Sequence, residues 1–169
     1  MRRKLIGFTG PAGCGKTTAA ACLSSHTYSF ATPMKDCLKR LFDLDLDQLY
    51  TLEGKEAIDP RYGVSPRFLL QRFGTEFIRS TVPDLWIILM RKQLNKLPTD
   101  MFIVIDDVRF EDEAEMVRQE GGTIVHILGR SMIKSDHSSE RLIGIHPKDL
   151  TVSNNGSLKE FNARVKEVV

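Results

Sequence analysis

The strongest constraint on the fold is a glycine-rich stretch that follows a short apolar run near the start of the chain. The apolar run covers residues 4–9, and residues 10–18 read GPAGCGKTT. The pattern G-x-x-x-x-G-K-[ST] is matched by Gly10, Gly15, Lys16 and Thr17. In such a loop, between a strand and a helix, backbone N–H groups turn inward around phosphate and the helix N-terminus adds partial positive charge. The sequence therefore predicts a nucleotide phosphate loop, or P-loop.

The residue types in this loop indicate ATP and Mg²⁺ as ligands. The Lys16 ammonium suits the β- and γ-phosphates, and the Thr17 hydroxyl suits Mg²⁺. The ATP-binding part of the loop is predicted to be Gly10, Ala12, Gly13, Cys14, Gly15, Lys16, Thr17 and Thr18. A thiol near a helix N-terminus can be reactive, but Cys14 is interpreted as a small residue that contributes only its backbone. Alkylation of Cys14 is expected to block nucleotide binding by bulk, and ATP is expected to protect it.

The rest of the chain alternates strands and helices. Apolar runs predict strands over 4–9, 27–31, 101–106, 123–128 and 150–154. Helical spacing and capping residues predict helices over 16–25, 33–42, 65–80, 83–96, 111–122 and 157–168. Residues 53–65 are predicted to form an excursion loop, and 129–147 a polar, irregular segment. This alternation predicts a three-layer α/β/α fold with a five-stranded, mainly parallel sheet.

Length and composition limit the classes of protein to which the chain can belong. The 169 residues suit one domain with a proper core. The net charge of +2, from 24 basic and 22 acidic residues, gives no reason to expect direct nucleic-acid binding. Three cysteines without C-x-x-C spacing indicate neither disulfides nor zinc, which fits a reducing cytoplasm. No apolar run is long enough for a signal peptide or a membrane span, so no membrane association is expected.

Two consecutive carboxylates end the apolar run 101–105. In P-loop proteins a carboxylate at this place holds Mg²⁺ directly or through water. Either Asp106 or Asp107 suits that role, because alternation along a strand puts them on opposite faces. Asp106 is assigned to the metal together with Thr17, and the choice between the two aspartates stays open from the sequence.

Among P-loop proteins, the motifs favour a small kinase. A GTPase would carry N-K-x-D, whereas Asn95-Lys96-Leu97-Pro98 lacks the aspartate, and no D-x-x-G follows residues 101–105. A kinase needs a cationic acceptor pocket and a lid that excludes water. Arginine suits phosphate because its guanidinium can donate two parallel hydrogen bonds. Candidate cations on the 65–80 helix and in the 129–147 segment are Arg67, Arg72, Arg79, Arg130, Lys134 and Arg141. For Arg72, Arg79 and Lys134, an ordinary solvated surface charge is at least an equal alternative.

Further stretches make the chain resemble a known family. It resembles the deoxynucleoside monophosphate kinases of tailed bacteriophages, within the nucleoside-monophosphate-kinase-like P-loop proteins, over nearly its whole length. The stretches that carry the resemblance are GPAGCGKTT, YSFATPMK (28–35), GKEA (54–57), SPRFLLQRFGTE (65–76), PDLW (83–86), DVRFEDEAE (107–115), HSSE (137–140) and NNGSLKEF (154–161). The P-loop is common to many proteins, whereas the combination of S-P-R-x-L-L-Q-x-x-G-T-E, D-V-R-F and H-x-S-E is much more specific.

The resemblance implies an activity, a domain plan and a set of site residues. The implied activity is ATP- and Mg²⁺-dependent phosphoryl transfer to a deoxynucleoside 5′-monophosphate, which supplies phage DNA synthesis in the host cytoplasm. It implies a single kinase domain over 1–169, with an acceptor-binding helical insertion at about 33–98 and a lid at about 129–147. The implied catalytic residues are Lys16, Asp107 and Arg130. The donor adenine would lie at Asn155, Gly156 and Ser157. The implied acceptor residues are Phe30, Lys35, Arg67, Gln71, Thr75, Trp86, Asp107, Arg109 and Glu140.

Several alternatives stay open at this stage. Trp86 suits a core aromatic as well as a base platform, and His137 suits a hydrogen bond that holds the lid's own fold. Glu111-Asp112 stand where the family often has Pro-Asn, and the lid is poorer in arginine than in many such kinases, which leaves the transition-state cation open. A kinase for dephospho-coenzyme A or a sugar, and a nucleotide-binding regulatory module without transfer, are the competing functions. A homodimer is expected from the resemblance alone.

Overall fold

The computed structural model describes residues 4–23, 26–129 and 137–169, without the side chain of Glu140. Contacts within the chain divide it into two compact units. Here the first unit is Met1–Phe30 with Met90–Val169, and the second unit is Ala31–Leu89. No helix in the described part of the chain is both long and apolar enough to cross a membrane.

A five-stranded sheet lies in the first unit. Its strands, numbered β1 to β5 along the chain, are Lys4–Thr9, Thr27–Tyr28, Phe102–Val108, Thr123–Gly129 and Leu150–Asn154. The spatial order is β2-β3-β1-β4-β5, and every neighbouring pair is parallel. The predicted five-stranded parallel sheet is therefore confirmed.

The helices are numbered α1 to α8, and six of them begin or lie where a helix was predicted. They are Lys16–Leu23, Thr32–Phe42, Leu46–Tyr50, Leu52–Glu56, Pro66–Gln71, Leu85–Leu94, Glu111–Gln119 and Leu158–Val168. A π-helical segment, Arg72–Arg79, continues α5, and a single 3₁₀ turn covers Ser138–Glu140.

Central strand β1 places the P-loop at the point where the strand order changes direction. Ile6 pairs with Val104 of β3 on one side and with Thr123 of β4 on the other. In open parallel sheets, the carboxyl ends of two strands that diverge in this way leave a crevice where ligands bind. The loop that follows Thr9 lies at that crevice.

Side-chain alternation along the strands builds the three layers. Ile6 and Phe8 of β1 face a core that includes Ala19 of α1 and Phe161 of α8. On the other face there is no room for a side chain at Gly7, because a Cβ there would lie 2.8 Å from Ile124 and 3.4 Å from Val117 of α7. Helices α1 and α8 therefore cover one face of the sheet and α7 covers the other, as the predicted three-layer fold requires.

Strand β2 is shorter than predicted, with two residues instead of the five at 27–31. The two residues after it bind carboxylates at the end of β3. The Ser29 hydroxyl donates to Asp106, and the Phe30 N–H donates to Asp107 over 2.7 Å. Because the Phe30 N–H is bound to a carboxylate, it is not available for a β-ladder, and the strand ends before it.

The second unit contains helix where a loop was expected. Residues 53–56 belong to α4, whose N-cap Thr51 accepts a hydrogen bond from the Gly54 N–H. Asp45 caps α3 in the same way, through a capping box with Gln48. The expected excursion loop is therefore wrong for its first four residues, and two consecutive N-cap signals explain the difference.

The start of the 65–80 helix is as predicted, but its winding is not. Ser65 caps α5 by accepting from the Phe68 N–H, and Pro66 is its first residue. From Arg72 onward the winding is π-helical. Within this segment Gly74 is buried, and a Cβ there would collide with the Met34 side chain. π-helical turns are rare and occur often at functional sites.

A buried ionic cluster joins α7, β4 and the approach to β5 in the first unit. Asp149 Oδ2 accepts from Arg118 over 2.8 Å, from the His126 ring over 2.9 Å and from the His146 N–H over 2.9 Å. Its side chain is 1% exposed. Burial alone would raise the pKa of Asp149, but the bonds from Arg118, His126 and the His146 N–H outweigh it and lower the pKa to about 2.

We expect Asp149→Asn to lower the free energy of unfolding by about 3 kcal/mol at neutral pH, because it leaves the Arg118 charge without its buried counter-ion. A depressed pKa stabilises the fold above about pH 4 and loses this effect as the pH falls towards 2. Urea unfolding of both proteins between pH 7 and pH 3 checks this. A difference that stays constant over that range would contradict the assigned role of the carboxylate.

Candidate active site

Three glycines shape the P-loop. Gly10, Gly13 and Gly15 have φ of 143°, 75° and 108°, a region that other residues rarely adopt. A Cβ at Gly10 would also lie 2.7 Å from the Ile127 carbonyl oxygen. The glycine pattern thus reflects both backbone conformation and close packing of the loop on the sheet.

Lys16 is folded across the loop. Its ammonium donates to the carbonyl oxygens of Gly10 over 2.7 Å and Pro11 over 2.8 Å, and the residue is 8% exposed. Carbonyl oxygens are neutral acceptors, whereas phosphate is anionic and forms stronger, charge-assisted hydrogen bonds with an ammonium. The arrangement keeps the cation in the loop, where a nucleotide phosphate can replace the carbonyls as its partner.

Cys14 contributes more than its backbone. Its side chain is fully buried in the core cluster under α1 and α8, and its carbonyl oxygen accepts from the Asn154 side chain over 2.8 Å. Burial raises the pKa of the Cys14 thiol, and the nearby Lys16 charge only partly offsets this. The Cys14 side chain therefore anchors the loop to the core, which is a correction to the sequence interpretation.

The two predicted magnesium ligands lie together. The Thr17 hydroxyl donates to Asp106 Oδ2 over 3.2 Å, and the Ser29 hydroxyl donates to Oδ1 of the same carboxylate. Mg²⁺ is commonly held by one or two carboxylates, substrate phosphates and several waters. One carboxylate and two hydroxyls beside a phosphate loop fit that ion.

Asp107 has a different partner from Asp106. Its Oδ1 accepts the Phe30 N–H, and the Phe30 ring is buried. The two carboxylates therefore point to different groups, as strand alternation predicts. Asp106 lies with the Thr17 hydroxyl, and Asp107 holds the backbone at the end of β2.

Arg109 holds the H-x-S-E turn in the first unit. Its guanidinium donates to the Ser139 carbonyl oxygen over 2.9 Å, and its own N–H donates to buried Glu113. Within the turn, His137 Nδ1 lies 2.8 Å from the Ser139 hydroxyl and accepts the Ser139 N–H. These bonds match the interpretation of His137 as a residue that holds its own segment.

A cavity of about 250 Å³ lies beside the P-loop in the first unit. Its walls are Gly13, Gly15, Thr18, Asn154, Gly156, Leu158 and Phe161. Of the residues predicted near the adenine, Gly156 therefore lines the cavity. Asn155 is exposed next to it, and Ser157 caps α8 by accepting from the Glu160 N–H. The cavity is mostly apolar, as base-binding clefts usually are.

Five of the acceptor candidates lie in the second unit, each in a different environment. Arg67 forms an ion pair with Glu56, and the Lys35 ammonium lies 4.0 Å from the centre of the Tyr50 ring. Gln71 and Thr75 are half-buried. The Trp86 ring is buried, and its indole N–H donates to the Gly74 carbonyl oxygen over 3.1 Å. That bond gives Trp86 a structural role in shaping the π-helical segment.

For three of the predicted site residues the structure describes no side chain. Arg130 lies outside the described residues, as does Lys134, and the side chain of Glu140 is not described. The roles assigned to them from the sequence stay predictions.

Sequence reasoning missed three residues that the structure brings to these sites. They are Ser29 beside Asp106, Asn154 on the P-loop, and Glu56 beside Arg67. All three occur within stretches that carry the family resemblance, namely YSFATPMK, NNGSLKEF and GKEA. Their position within these stretches could have identified them as candidates. Their hydrogen-bond partners could not be predicted, because these depend on tertiary structure.

We expect Cys14 to resist alkylation in the native protein, because it is fully buried and its pKa is raised. Exposed Cys37 provides the internal control. With iodoacetamide at pH 8, mass spectrometry is expected to find Cys37 modified at least tenfold faster than Cys14. Equal rates would contradict the anchoring role. The sequence alone suggested that alkylation of Cys14 would block nucleotide binding and that ATP would protect it. Because Cys14 is buried in the native protein, slow alkylation is now expected even without ATP.

Known proteins share the fold and much of the sequence. A solved gluconokinase from Sinorhizobium meliloti 1021 aligns with a TM-score of 0.52 and 12% identity, over 96% of this chain and 89% of that one, which shows the fold. A protein of Acanthamoeba polyphaga mimivirus with the provisional name deoxynucleotide monophosphate kinase is 36% identical, over 95% of this chain and 93% of its own.

A second relative and a family model agree with these matches. The deoxynucleoside-5′-monophosphate kinase of Escherichia phage T5 is 36% identical, over 87% of each chain. The family model described as deoxynucleotide monophosphate kinase matches residues 54–165. The chain therefore belongs to the deoxynucleotide monophosphate kinase family.

Proposed function

We propose that the protein transfers the γ-phosphoryl group of ATP, with Mg²⁺, to the 5′-phosphate of a deoxynucleoside monophosphate and so forms the diphosphate. The observation that carries the proposal is the bond from Thr17 to Asp106 at a loop that keeps Lys16 inside it. Membership in the family supplies the acceptor class. Supply of precursors for DNA synthesis in the cytoplasm is the proposed setting.

This phosphoryl transfer does not need a strong general base. The attacking group is a phosphate oxygen, which is already anionic near neutral pH. The protein has to align the donor and acceptor phosphates, which repel each other, and to stabilise the negative charge on the phosphoryl group in the transition state. In the first unit, Lys16 and the backbone N–H groups of the loop are proposed to bind the donor phosphates. The cavity at Gly156 is proposed to bind the adenine.

Thr17 and Asp106, with Ser29 beside them, are the residues proposed to hold Mg²⁺. When bound there, the ion would neutralise charge on the donor phosphates and orient them. Asp107 is proposed to act by holding the Phe30 backbone in place. Arg109 is proposed to fix the turn at Ser139.

In the second unit, Arg67 is proposed to bind the acceptor phosphate. Its ion pair with Glu56 is half exposed on the glutamate side, with 48% of that side chain accessible. The Arg67 side chain is only 16% exposed, so the pair holds the guanidinium in a partly buried place. A phosphate dianion can replace the Glu56 carboxylate there, because it also accepts charge-assisted, bidentate hydrogen bonds. Lys35 adds a second cation to this unit. Arg130 and Glu140 stay proposals from the sequence.

We expect the protein to form ADP from ATP and Mg²⁺ only when a nucleoside monophosphate is present. The assay contains the four deoxynucleoside monophosphates, the four ribonucleotides, dephospho-coenzyme A and gluconate, and follows each phosphorylated product. Lys16→Met is expected to lower kcat at least a thousandfold, because it removes the cation that stabilises the transferring phosphoryl group.

Other outcomes of that assay would decide between the competing functions. Phosphorylation of dephospho-coenzyme A or gluconate alone would assign a different small-molecule kinase. ATP binding without any acceptor-dependent ADP formation would assign a regulatory module. Circular dichroism and thermal melting of Lys16→Met show whether loss of activity reflects loss of the fold.

We expect Arg67→Met to raise the acceptor KM by about 10- to 100-fold with little change in the KM for ATP, since a charge-assisted hydrogen bond contributes about 1.5–3 kcal/mol. Arg72→Met is the matched control. Arg72 lies on the same helical stretch, is 60% exposed and pairs with Glu76. An unchanged acceptor KM in Arg67→Met, or an equal increase in Arg72→Met, would remove Arg67 from the acceptor site.

A further inference from the structure

Two polar side chains next to Arg67 have no hydrogen-bond partner among the described residues. Gln71 makes no side-chain capping bond at the start of the π-helical segment, and neither Gln71 nor Thr75 pairs with another described group. Their neighbours are paired, since Arg67 binds Glu56 and Arg72 binds Glu76. Both residues are half-buried, so their polar groups keep solvent access that a ligand can take over.

The change of winding after Gln71 places these side chains in one row. Four residues exceed one turn of an α-helix, which has 3.6 residues, so Gln71 lies slightly past Arg67 around the axis. A π-helical turn, closed by i→i+5 bonds, contains more than four residues, so Thr75 lies slightly short of Gln71. The two deviations oppose each other. Arg67, Gln71 and Thr75 therefore form an aligned set, called here the acceptor row.

The acceptor row has the positively charged Arg67 at one end and the Gln71 amide one helical turn further along. Gln71 lies about 6 Å along the helix axis from Arg67, at about 1.5 Å per residue. In a nucleotide, the sugar separates the phosphate from the base by a comparable length. A nucleotide whose phosphate binds Arg67 therefore has its base within reach of the Gln71 amide.

We propose that the Gln71 side chain recognises the acceptor base, and that its amide turns over to suit bases of either hydrogen-bonding pattern. The inference rests on the proposed function and adds the substrate range of that site. A terminal amide carries one carbonyl acceptor and one NH₂ donor group side by side. Because no described residue bonds to the Gln71 amide, rotation by half a turn breaks no hydrogen bond within the described protein.

The hydrogen-bonding edges of the four bases match an amide that can adopt both orientations. Guanine and thymine present a carbonyl oxygen beside a ring N–H, whereas adenine and cytosine present an amino group beside a ring nitrogen acceptor. Each edge thus offers one donor next to one acceptor, and the two classes differ in their order. An amide in one orientation matches guanine and thymine, and the reversed amide matches adenine and cytosine. One side chain can therefore serve all four deoxynucleotides.

The test uses Gln71→Met, which keeps length and helix propensity but removes both polar atoms. Acceptors are the four deoxynucleoside monophosphates and 2-deoxyribose 5-phosphate, which has no base. We expect kcat/KM to fall about tenfold for every nucleotide through a higher KM, and the ratios among the four to change less than threefold. Transfer to 2-deoxyribose 5-phosphate is expected to stay unchanged, since the base contact is absent there.

Three results would overturn the inference. They are an unchanged kcat/KM for the nucleotides, a fall confined to guanine and thymine or to adenine and cytosine, and an equal fall for 2-deoxyribose 5-phosphate. The second would mean an amide held in one orientation, and the third a contact to the sugar or phosphate. A wild-type protein that accepts only one class of base would overturn it as well.

Control variants separate this inference from the proposed function. Arg67→Met is expected to impair 2-deoxyribose 5-phosphate and nucleotides alike, whereas Arg72→Met impairs neither. Gln71→Leu repeats the removal of the amide with a different apolar shape and guards against a packing defect of the methionine. If the wild-type protein phosphorylates no nucleoside monophosphate, the proposed function fails. If it does so and Gln71→Met behaves like wild type, only the base contact fails.

Discussion

Close packing of the phosphate loop on the sheet core is the constraint on which the donor side depends. Gly10 leaves no room for a Cβ against the Ile127 carbonyl, Gly15 leaves none against the Asn154 amide, and the Cys14 side chain is buried between α1 and the sheet. Within the loop the Cys14 N–H donates to the Pro11 carbonyl oxygen over 3.2 Å, and further contacts hold the loop from outside. The bond from Asn154 to the Cys14 carbonyl and the buried thiol supply that support. The loop is thereby preorganised for an anion, and ligand binding does not have to supply the energy of ordering it.

The end of β3 shows how two adjacent and identical residues acquire different tasks. Strand alternation directs Asp106 to the Thr17 and Ser29 hydroxyls and Asp107 to the Phe30 backbone. One carboxylate thus lies in a set that suits a hard cation, and the other binds the Phe30 N–H just after β2. Local apolar character predicted a strand as far as residue 31, but the Phe30 N–H bonds to a carboxylate instead of to a neighbouring strand.

The fold of the first unit followed from sequence more completely than the site did. Apolar runs located all five strands, and the G-x-x-x-x-G-K-[ST] pattern located the loop, because both depend on local residue types. Asp106 could be named as a candidate but not separated from Asp107, since that choice depends on which hydroxyls lie opposite. Cys14 was assigned a backbone role because no local pattern reports burial under α8. In the second unit, the N-cap residues Asp45 and Thr51 could have been recognised from the sequence, whereas no local pattern of residue types predicted the π-helical winding.

The second unit combines charged and uncharged polar groups in a way that suits a substrate with a charged end and a variable end. Arg67 already has a counter-ion in Glu56, so its orientation is set before a phosphate arrives and takes the place of that carboxylate. Gln71 has no such partner among the described residues, so its amide keeps both of its orientations available. A fixed contact to the group that all nucleotides share, next to an adaptable contact to the group that differs, gives tight positioning of the reacting phosphate without strict selection of the base. If the Gln71 amide were bonded within the protein, one of its two orientations would be favoured. Bases that need the other orientation would then bind less tightly, and the substrate range would be narrower.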